Sequence, residues 1–317
     1  EFSSAPKKSD WSILKIDRWL DKLSVMSHEN EQKAHLSFAA KRLSPLELQY
    51  LLRLVKKDLR ISAGAKHILD GIHPQAYEAY QACHDLALIV EAHEKGQPMP
   101  TGIRLGTPVI PMLAEACKSV DQAMASTEGD LIAEIKYDGE RVQIHKKGDK
   151  FSYFSRSLKP VQEHKMKPVE SHLIDAFPGG DELIIDSEVL VVDTKTGKPL
   201  PFGTLGKNKK DKLTDASVCL YVFDFLYYNG KSLMEKPLHK RKKLLKEHMK
   251  EVKHKVHFSH CEEVKRGDKK KLKGLILQAI DEGLEGLVIK DSLGIYEPGK
   301  RHWLKVKKDY LEQGAMA

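Results

Sequence analysis

No run of apolar residues in this chain approaches the ~20 that a membrane-spanning helix needs, and its first residues carry no secretory signal pattern. Cysteine is scarce: Cys83, Cys117, Cys219 and Cys261 lie far apart. No Cys-x-x-Cys spacing occurs, which argues against a zinc site of that kind. The pattern fits a reducing compartment, cytosol or nucleus. Cys219 sits in an apolar run and reads as a small core residue. The histidines show no metal-ligand spacing, the methionines read as core filler, and no repeat of 20–50 residues is present.

What is abundant is charge. Lys and Arg number 53 against 45 Asp and Glu, a net +8, and such a balance favours a polyanionic partner. Residues 236–273 concentrate it, with 15 Lys/Arg against 5 Asp/Glu. The plainer reading of that stretch is a solvated helix face with a loop; the functional one is a surface that tracks phosphates. A chain of 317 residues, 41% of them hydrophobic, has the material for about two domains. Glu1-Phe2-Ser3-Ser4 reads as an appended tail and is left out of the fold argument.

Residues 11–90 read as helical. Trp11, Ile13, Leu14, Ile16, Trp19, Leu20 and Leu23 recur with helical period. Ser44-Pro45-Leu46-Glu47 predicts a helix start: Ser44 caps, Pro45 suits the first helical position and Glu47 completes a capping box. Gly96, Pro98, Pro100, Gly102, Gly106 and Pro108 mark a linker. This divides the chain into a helical domain at 1–98, a linker at 99–107 and a second domain at 108–317. In the second domain strand-like runs fall at 131–136, 141–146, 151–155, 183–192, 218–225, 284–290 and 302–307, with helical patterns at 237–250 and 269–282. Several connections are too short for parallel crossovers, so the fold class is α+β with a mixed, largely antiparallel sheet.

The chemistry begins at Glu134-Ile135-Lys136-Tyr137-Asp138-Gly139-Glu140-Arg141. An Asp-Gly pair between alternating runs predicts a hairpin. Such a hairpin sets Lys136 directly opposite Arg141, an arrangement that destabilises a sheet unless an anion lies between them. Two solvated cations are the alternative. In the apolar run 183–192, alternation places Asp186 and Glu188 on one face. Buried carboxylates of this kind want a cation, a metal or sugar hydroxyls; a buried salt bridge is the plainer reading. Trp303, Lys305 and Lys307 share a face of the last strand, as a phosphate pocket with an aromatic wall requires, or as an edge strand with solvated lysines allows. Strict alternation sets Glu285 and Lys290 on opposite faces, and they converge only if Gly286 permits a bulge. Cations for phosphates together with carboxylates for a divalent metal are what phosphoryl or nucleotidyl transfer needs.

Lys136-Tyr137-Asp138-Gly139-Glu140-Arg141 resembles the Lys-x-Asp-Gly-x-Arg signature of covalent nucleotidyltransferases, the superfamily of DNA ligases, RNA ligases and mRNA capping enzymes. The ordered set that follows resembles ATP-dependent DNA ligases: Ser155-Arg156, Asp186-Ser187-Glu188, Val222-Phe223-Asp224, Glu285 to Lys290, and Trp303 to Lys307. The stretches 154–160, Pro201-Phe202-Gly203-Thr204-Leu205-Gly206 and 296–303 are similar to animal DNA ligase III and its viral relatives. The resemblance covers about residues 12–317, of which 12–90 match the C-terminal part of the family's helical DNA-binding domain. The rest matches its nucleotidyltransferase domain, ATP-grasp-like in fold.

The resemblance implies that Lys136 is the nucleophile, attacking the α-phosphate of ATP to form lysyl-AMP. A lysine is normally protonated near neutral pH; desolvation and the cations Arg141, Lys290, Lys305 and Lys307 would expose its lone pair. The resemblance also implies that Glu188 and Glu285 hold Mg2+, that Phe223 stacks on adenine, and that the Glu134 main chain reads the adenine amino group. Arg156 and Arg301 would hold AMP and the DNA 5′-phosphate, with Trp303 in the same pocket. Gly64, Lys66 and Arg156 would touch DNA, helped by Lys56, Lys57 and Arg60, with a helix start near Ser62-Ala63-Gly64-Ala65 offering N–H groups to phosphates. The expected substrates are ATP and nicked duplex DNA, in repair, replication or recombination. The expected state is a monomer in the nucleus or mitochondrion, with any repair scaffold bound through regions absent here.

The chain ends at Gln313-Gly314-Ala315-Met316-Ala317, where the family continues into an OB-fold domain. A fragment with weak or absent self-adenylation and poor nick affinity, but with a complete AMP pocket, is therefore expected. Two rivals share parts of this pattern: a capping guanylyltransferase, told apart by labelling from GTP but not ATP, and a non-catalytic nick-binding or scaffold module, against which the intact Lys136 pocket argues.

Overall fold

The computed structural model describes residues 6–100, 102–200 and 215–307. The tail at 1–4, the ligase-like stretch 201–206 and the end at 313–317 lie outside the described residues. By packing the chain divides into Glu1–Ile68 and Leu69–Ala317. Composition places the break later, at 99–107.

The first unit holds α1 (Ile13–Val25), α2 (Glu29–Ala40) and α3 (Pro45–Val55). The capping box is formed: the Ser44 hydroxyl accepts from Glu47 N at 3.4 Å, and Ser44 N donates to the Glu47 carboxylate at 2.8 Å. Both otherwise orphaned groups at the helix start are thereby satisfied. Trp19 of α1, Ala39 of α2 and Leu51 of α3, with Leu43 from the turn between α2 and α3, form this unit's core. α4 (Ala65–Ile72) runs across the division, and α5 (Ala76–Cys83) and α6 (Leu86–Glu94) follow. Ala79, Cys83 and Ile89 pack with Leu69 and Met99 into a small cluster of the second unit.

The second unit continues through β1 (Ala114–Ala116), α7 (Val120–Ala125), β2 (Leu131–Ile135), β3 (Glu140–Lys147), β4 (Lys150–Ser155) and α8 (Glu163–Ala176). After these come β5 (Glu182–Asp193), β6 (Ala216–Tyr228), β7 (Lys231–Ser232), α9 (Leu238–His248), β8 (Val256–Phe258) and β9 (Cys261–Val264). The last elements are α10 (Lys269–Asp281), β10 (Gly286–Asp291) and β11 (Trp303–Lys307). Each strand and both helices expected beyond residue 108 are present. Among the described residues the additions are short strands, too brief to show alternation, and two further helices. One of these, α8, carries Pro168 within it, a residue that reads as a helix breaker.

Two sheets result. The first has the order β1-β11-β10-β2-β9 and the second β4-β3-β5-β6-β7, with β8 beside β6. Pairing is antiparallel except at β1–β11 and β6–β8. The second sheet buries Ile144, Ile185 and Phe225 against α8 and α9 residues such as Val169 and Leu245. The first buries Ala133, Ile289 and Leu304 against Ala123 of α7 and Ile276 of α10. Between the sheets, Ile184 and Leu226 of one meet Trp303 of the other, with Met112 and Tyr296 alongside. The apolar faces of both sheets are thus covered, and the cleft lined by β2, β3, β5, β6, β10 and β11 carries the polar groups.

The expected hairpin is corrected here. β2 pairs with β10 and β9, while β3 pairs with β4 and β5, so the chain passes between sheets at Lys136–Gly139 and no ladder joins Lys136 to Arg141. Arg141 lies opposite Glu188 instead. Gly139 is required by crowding: a Cβ there would sit 2.3 Å from Leu190 Cδ2 and 2.5 Å from the Val189 carbonyl oxygen. A close approach of backbone to a neighbouring strand uses the same residue type as a tight turn.

Candidate nucleotide-binding site

A cavity of about 280 Å³ opens between the two sheets. Ten of the residues singled out from sequence line it: Glu134, Lys136, Arg141, Arg156, Glu188, Phe223, Lys290, Trp303, Lys305 and Lys307. β11 delivers three of them by plain alternation, since Leu304 and Val306 enter the core while Trp303, Lys305 and Lys307 face the cavity. Lys136 follows directly on β2, its N–H bonded to the Gly286 carbonyl at 2.9 Å.

Glu285 reaches the cavity wall through its contacts. Its carboxylate takes Lys136 Nζ on one oxygen and Lys307 Nζ on the other. Gly286 makes this possible. Its φ is +137°, and a Cβ there would lie 2.0 Å from the Val306 carbonyl oxygen. Only glycine tolerates that combination, and the irregular backbone lets Glu285 and Lys290 serve one site from the two ends of β10. The nearest group to the Lys136 amine is therefore the Glu285 carboxylate, one of the two acidic groups expected to face it, and the cations expected around it line the same cavity.

The two carboxylates of β5 divide their work. Asp186, fully buried, takes Arg141 Nη2 at 2.6 Å and Nε at 3.0 Å, so for it the buried salt bridge is the correct reading. Arg141 also donates to the Met112 carbonyl at 2.7 Å, and the Tyr296 hydroxyl donates to Asp186 at 2.8 Å. Arg141 thus ties β3, β5 and the segment at Met112 together while lining the cavity. Glu188 has no direct salt bridge among the described residues. Burial pushes its carboxyl up to about 7, against the pull of Arg141 and Lys136. Lys290, almost fully buried, is bonded to Glu134, and its ammonium lies 4.7 Å from the Phe223 ring centre and 4.3 Å from that of Trp303. Among the described residues Lys305 has no ion-pair partner, so its charge faces the cavity uncompensated.

Six cations (Lys136, Arg141, Arg156, Lys290, Lys305, Lys307) therefore meet four carboxylates (Glu134, Asp186, Glu188, Glu285), one of them raised towards neutrality. The surplus is positive and borders two aromatic rings, which suits an anion carrying a flat apolar group. Among the described residues no cluster of three or more His, Cys, Asp or Glu could cage a metal alone. Glu188 and Glu285 nevertheless fit Mg2+, which commonly takes one or two carboxylates and completes its shell with phosphate oxygens and water.

Some expected residues are not gathered. Arg301 is exposed and does not line the cavity. Gly64 and Lys66 belong to the first unit, where Gly64 precedes α4 with open space around its Cα. Sequence reasoning also missed Leu113, Ala114, Tyr137, Ser259 and Val288, all of which line the cavity. Tyr137 stood inside the signature as its variable position and Val288 inside the stretch Glu285 to Lys290, neither with a role of its own; Leu113, Ala114 and Ser259 carry no local signal.

The raised Glu188 carboxyl has a measurable consequence in metal-free protein. A folded-state value near 7, above the ordinary glutamate range, gives stability that is complete below the ordinary value and lost as pH rises through 7. Glu188→Gln cannot ionise. It is expected to match the wild type near pH 4 and to exceed it at pH 8 by about 1–3 kcal/mol. Parallel melting curves at both pH values would show that Glu188 carries no such penalty.

Comparison with known proteins agrees with this geometry. Residues 111–307 match the family model described as ATP dependent DNA ligase domain, and residues 2–73 match DNA ligase N terminus. A DNA ligase of fowlpox virus is 40% identical over 98% of this chain and 54% of its own length. DNA ligase 3 of Dictyostelium discoideum is 36% identical over 98% of this chain and 31% of its own. The chain thus spans about half the length of the poxvirus relatives it matches. Among solved structures, one designated Pmar-Lig_PreS3 superposes with a TM-score of 0.58 at 19% identity, covering 96% of this chain and 65% of that one, a likeness of fold. The nucleotidyltransferase architecture, the signature lysine facing a cationic cavity, and these matches place the chain in the ATP-dependent DNA ligase family.

Proposed function

We propose that this chain accepts AMP from ATP on Lys136 and serves as the adenylating part of a DNA ligase. The observation that carries the reading is the convergence on one cavity of Lys136, a surplus of cations, two aromatic rings and the carboxylates of Glu188 and Glu285. Phe223 and Trp303 would bound the adenine, with the Glu134 main chain at its amino group. Lys290, Lys305 and Lys307 would face the phosphates, and Arg156 at the rim would serve AMP and the DNA 5′-phosphate. Arg141, held by Asp186, would fix the wall beside them.

For the reaction, Lys136 must leave the Glu285 ion pair and shed a proton to solvent. Its lone pair then attacks the α-phosphorus; the bond to the bridging oxygen breaks and pyrophosphate departs. Mg2+, held by Glu188 and Glu285, would supply charge neutralisation at the phosphates when bound. AMP would next pass to the 5′-phosphate of a nick, and the adjoining 3′-hydroxyl would displace it. Gly64, Lys66 and Arg301 remain candidates for the DNA contact, supported by the basic balance of the chain and the match of residues 2–73 to the family's N-terminal region. The chain would act as a monomer, and a DNA substrate would be met in the nucleus or mitochondrion.

The test is intact mass spectrometry after incubation with ATP or GTP and magnesium. An adduct of AMP mass from ATP is the expected result. A GMP adduct from GTP alone would move the chain to the capping enzymes, and no adduct from either, together with no nucleotide bound in calorimetric titration, would remove the adenylation reading.

A further inference from the structure

Glu134 is bonded from two directions. One carboxylate oxygen takes Lys290; the other takes Lys242 Nζ at 2.5 Å. Glu134 and Lys290 line the nucleotide cavity, but Lys242 does not. It belongs to α9, 108 residues along the chain from Glu134, and with Ile132 and Cys261 lines a separate cavity of about 350 Å³. The side chains of Glu134 and Lys290 are each 2% exposed and that of Lys242 is 11% exposed, so water screens this trio little.

The charges of the trio sum to +1. Without Lys242, Glu134 and Lys290 would form a neutral pair, and the wall between Phe223 and Trp303 would lose its net charge. A carboxylate shared between two ammonium groups neutralises neither, so Lys242 keeps Lys290 electrostatically available to an anion. Burial holds the Lys290 ammonium below the usual lysine range against the pull of Glu134, and Lys242 pushes in the same direction as burial. The bare structural alternative is that Lys242 merely fastens α9 to β2.

We propose that Lys242 is a positioning residue for nucleotide binding, acting through Glu134 to keep Lys290 presenting net positive charge to a polyphosphate. This rests on the reading of the cavity as an ATP site. The structural alternative predicts that losing Lys242 harms every ligand of the cavity alike, whereas the electrostatic link predicts harm in proportion to ligand charge.

The experiment compares α,β-methylene ATP, which cannot adenylate Lys136, with uncharged adenosine, by calorimetric titration of wild type, Lys242→Met and Lys242→Arg. Loss of one unit charge at this range should weaken α,β-methylene ATP on the order of tenfold in Lys242→Met. Adenosine should bind as before, and Lys242→Arg should recover the nucleotide affinity. Lys242→Gln is held to the same criteria, so the result does not depend on the Met variant folding. Unchanged nucleotide affinity, or equal losses for both ligands, would overturn the proposal while leaving the ATP site intact. Wild-type protein that binds neither ligand would overturn the ATP reading itself, and the proposal with it.

Discussion

Lys136→Ala is expected to accumulate no AMP adduct on incubation with ATP and magnesium, where the wild type does. The amine is the bonding atom in the proposed reaction, and no other lysine of the cavity stands in its place. Lys290 is committed to Glu134 in a buried pair, Lys305 and Lys307 lie on β11, and Lys307 shares Glu285 with Lys136. Removing a nucleophile outright costs on the order of 10⁴-fold or more in rate, and no partial activity survives in an end-point measurement. Lys136→Arg should behave the same way, because a guanidinium keeps its proton. Noncovalent nucleotide binding should persist in both variants, since the cationic surplus stands. Intact mass checks the first expectation and calorimetry the second. An adduct of wild-type extent in Lys136→Ala would transfer the nucleophile's role to another residue.

Most of this site could be read in advance because its parts are local. The face shared by Trp303, Lys305 and Lys307 follows from period-two alternation in a strand whose other residues are apolar. The helix start at Ser44 follows from a four-residue pattern that satisfies its own backbone. What could not be read were choices made by distant packing. Asp138-Gly139 has the chemistry of a hairpin turn, and nothing near it in sequence says that Gly139 instead makes room for Leu190, or that β2 and β3 enter different sheets. Asp186 and Glu188 are alike in sequence context, yet one meets Arg141 and the other faces the cavity. The convergence of Glu285 and Lys290 was visible only as a conflict with strict alternation, and Gly286 resolves it with a positive φ. Lys242 reads as one more cation in a basic helix until its partner across the fold is known.

Asp224→Ala is expected to produce the largest loss of stability. Phe223 and Asp224 are adjacent on β6, one in the nucleotide cavity and the other in the core. Burial alone would raise the Asp224 carboxyl, but Arg241 overcomes this and holds it below the ordinary range. The pair is bidentate, Nε to Oδ1 at 2.7 Å and Nη2 to Oδ2 at 3.0 Å, with side chains 1% and 0% exposed. Arg241 cannot lose its proton, so the alanine variant would leave a buried guanidinium with only the Lys236 and Gly294 carbonyls as acceptors among the described residues. Removing one partner of such a pair costs about 3–5 kcal/mol. The carboxyl's depressed value means that the stability it lends is present above the ordinary aspartate range and disappears as pH falls through the folded-state value. The variant should therefore lose most at neutral pH and least in acid. Joint replacement by Asp224→Leu and Arg241→Met should recover most of the loss, because apolar groups of similar volume need no counter-charge. Urea unfolding of the single and double variants measures this directly. A double variant no more stable than Asp224→Ala would show that the cost lies in packing around β6 and α9, and that the stranded charge contributes little.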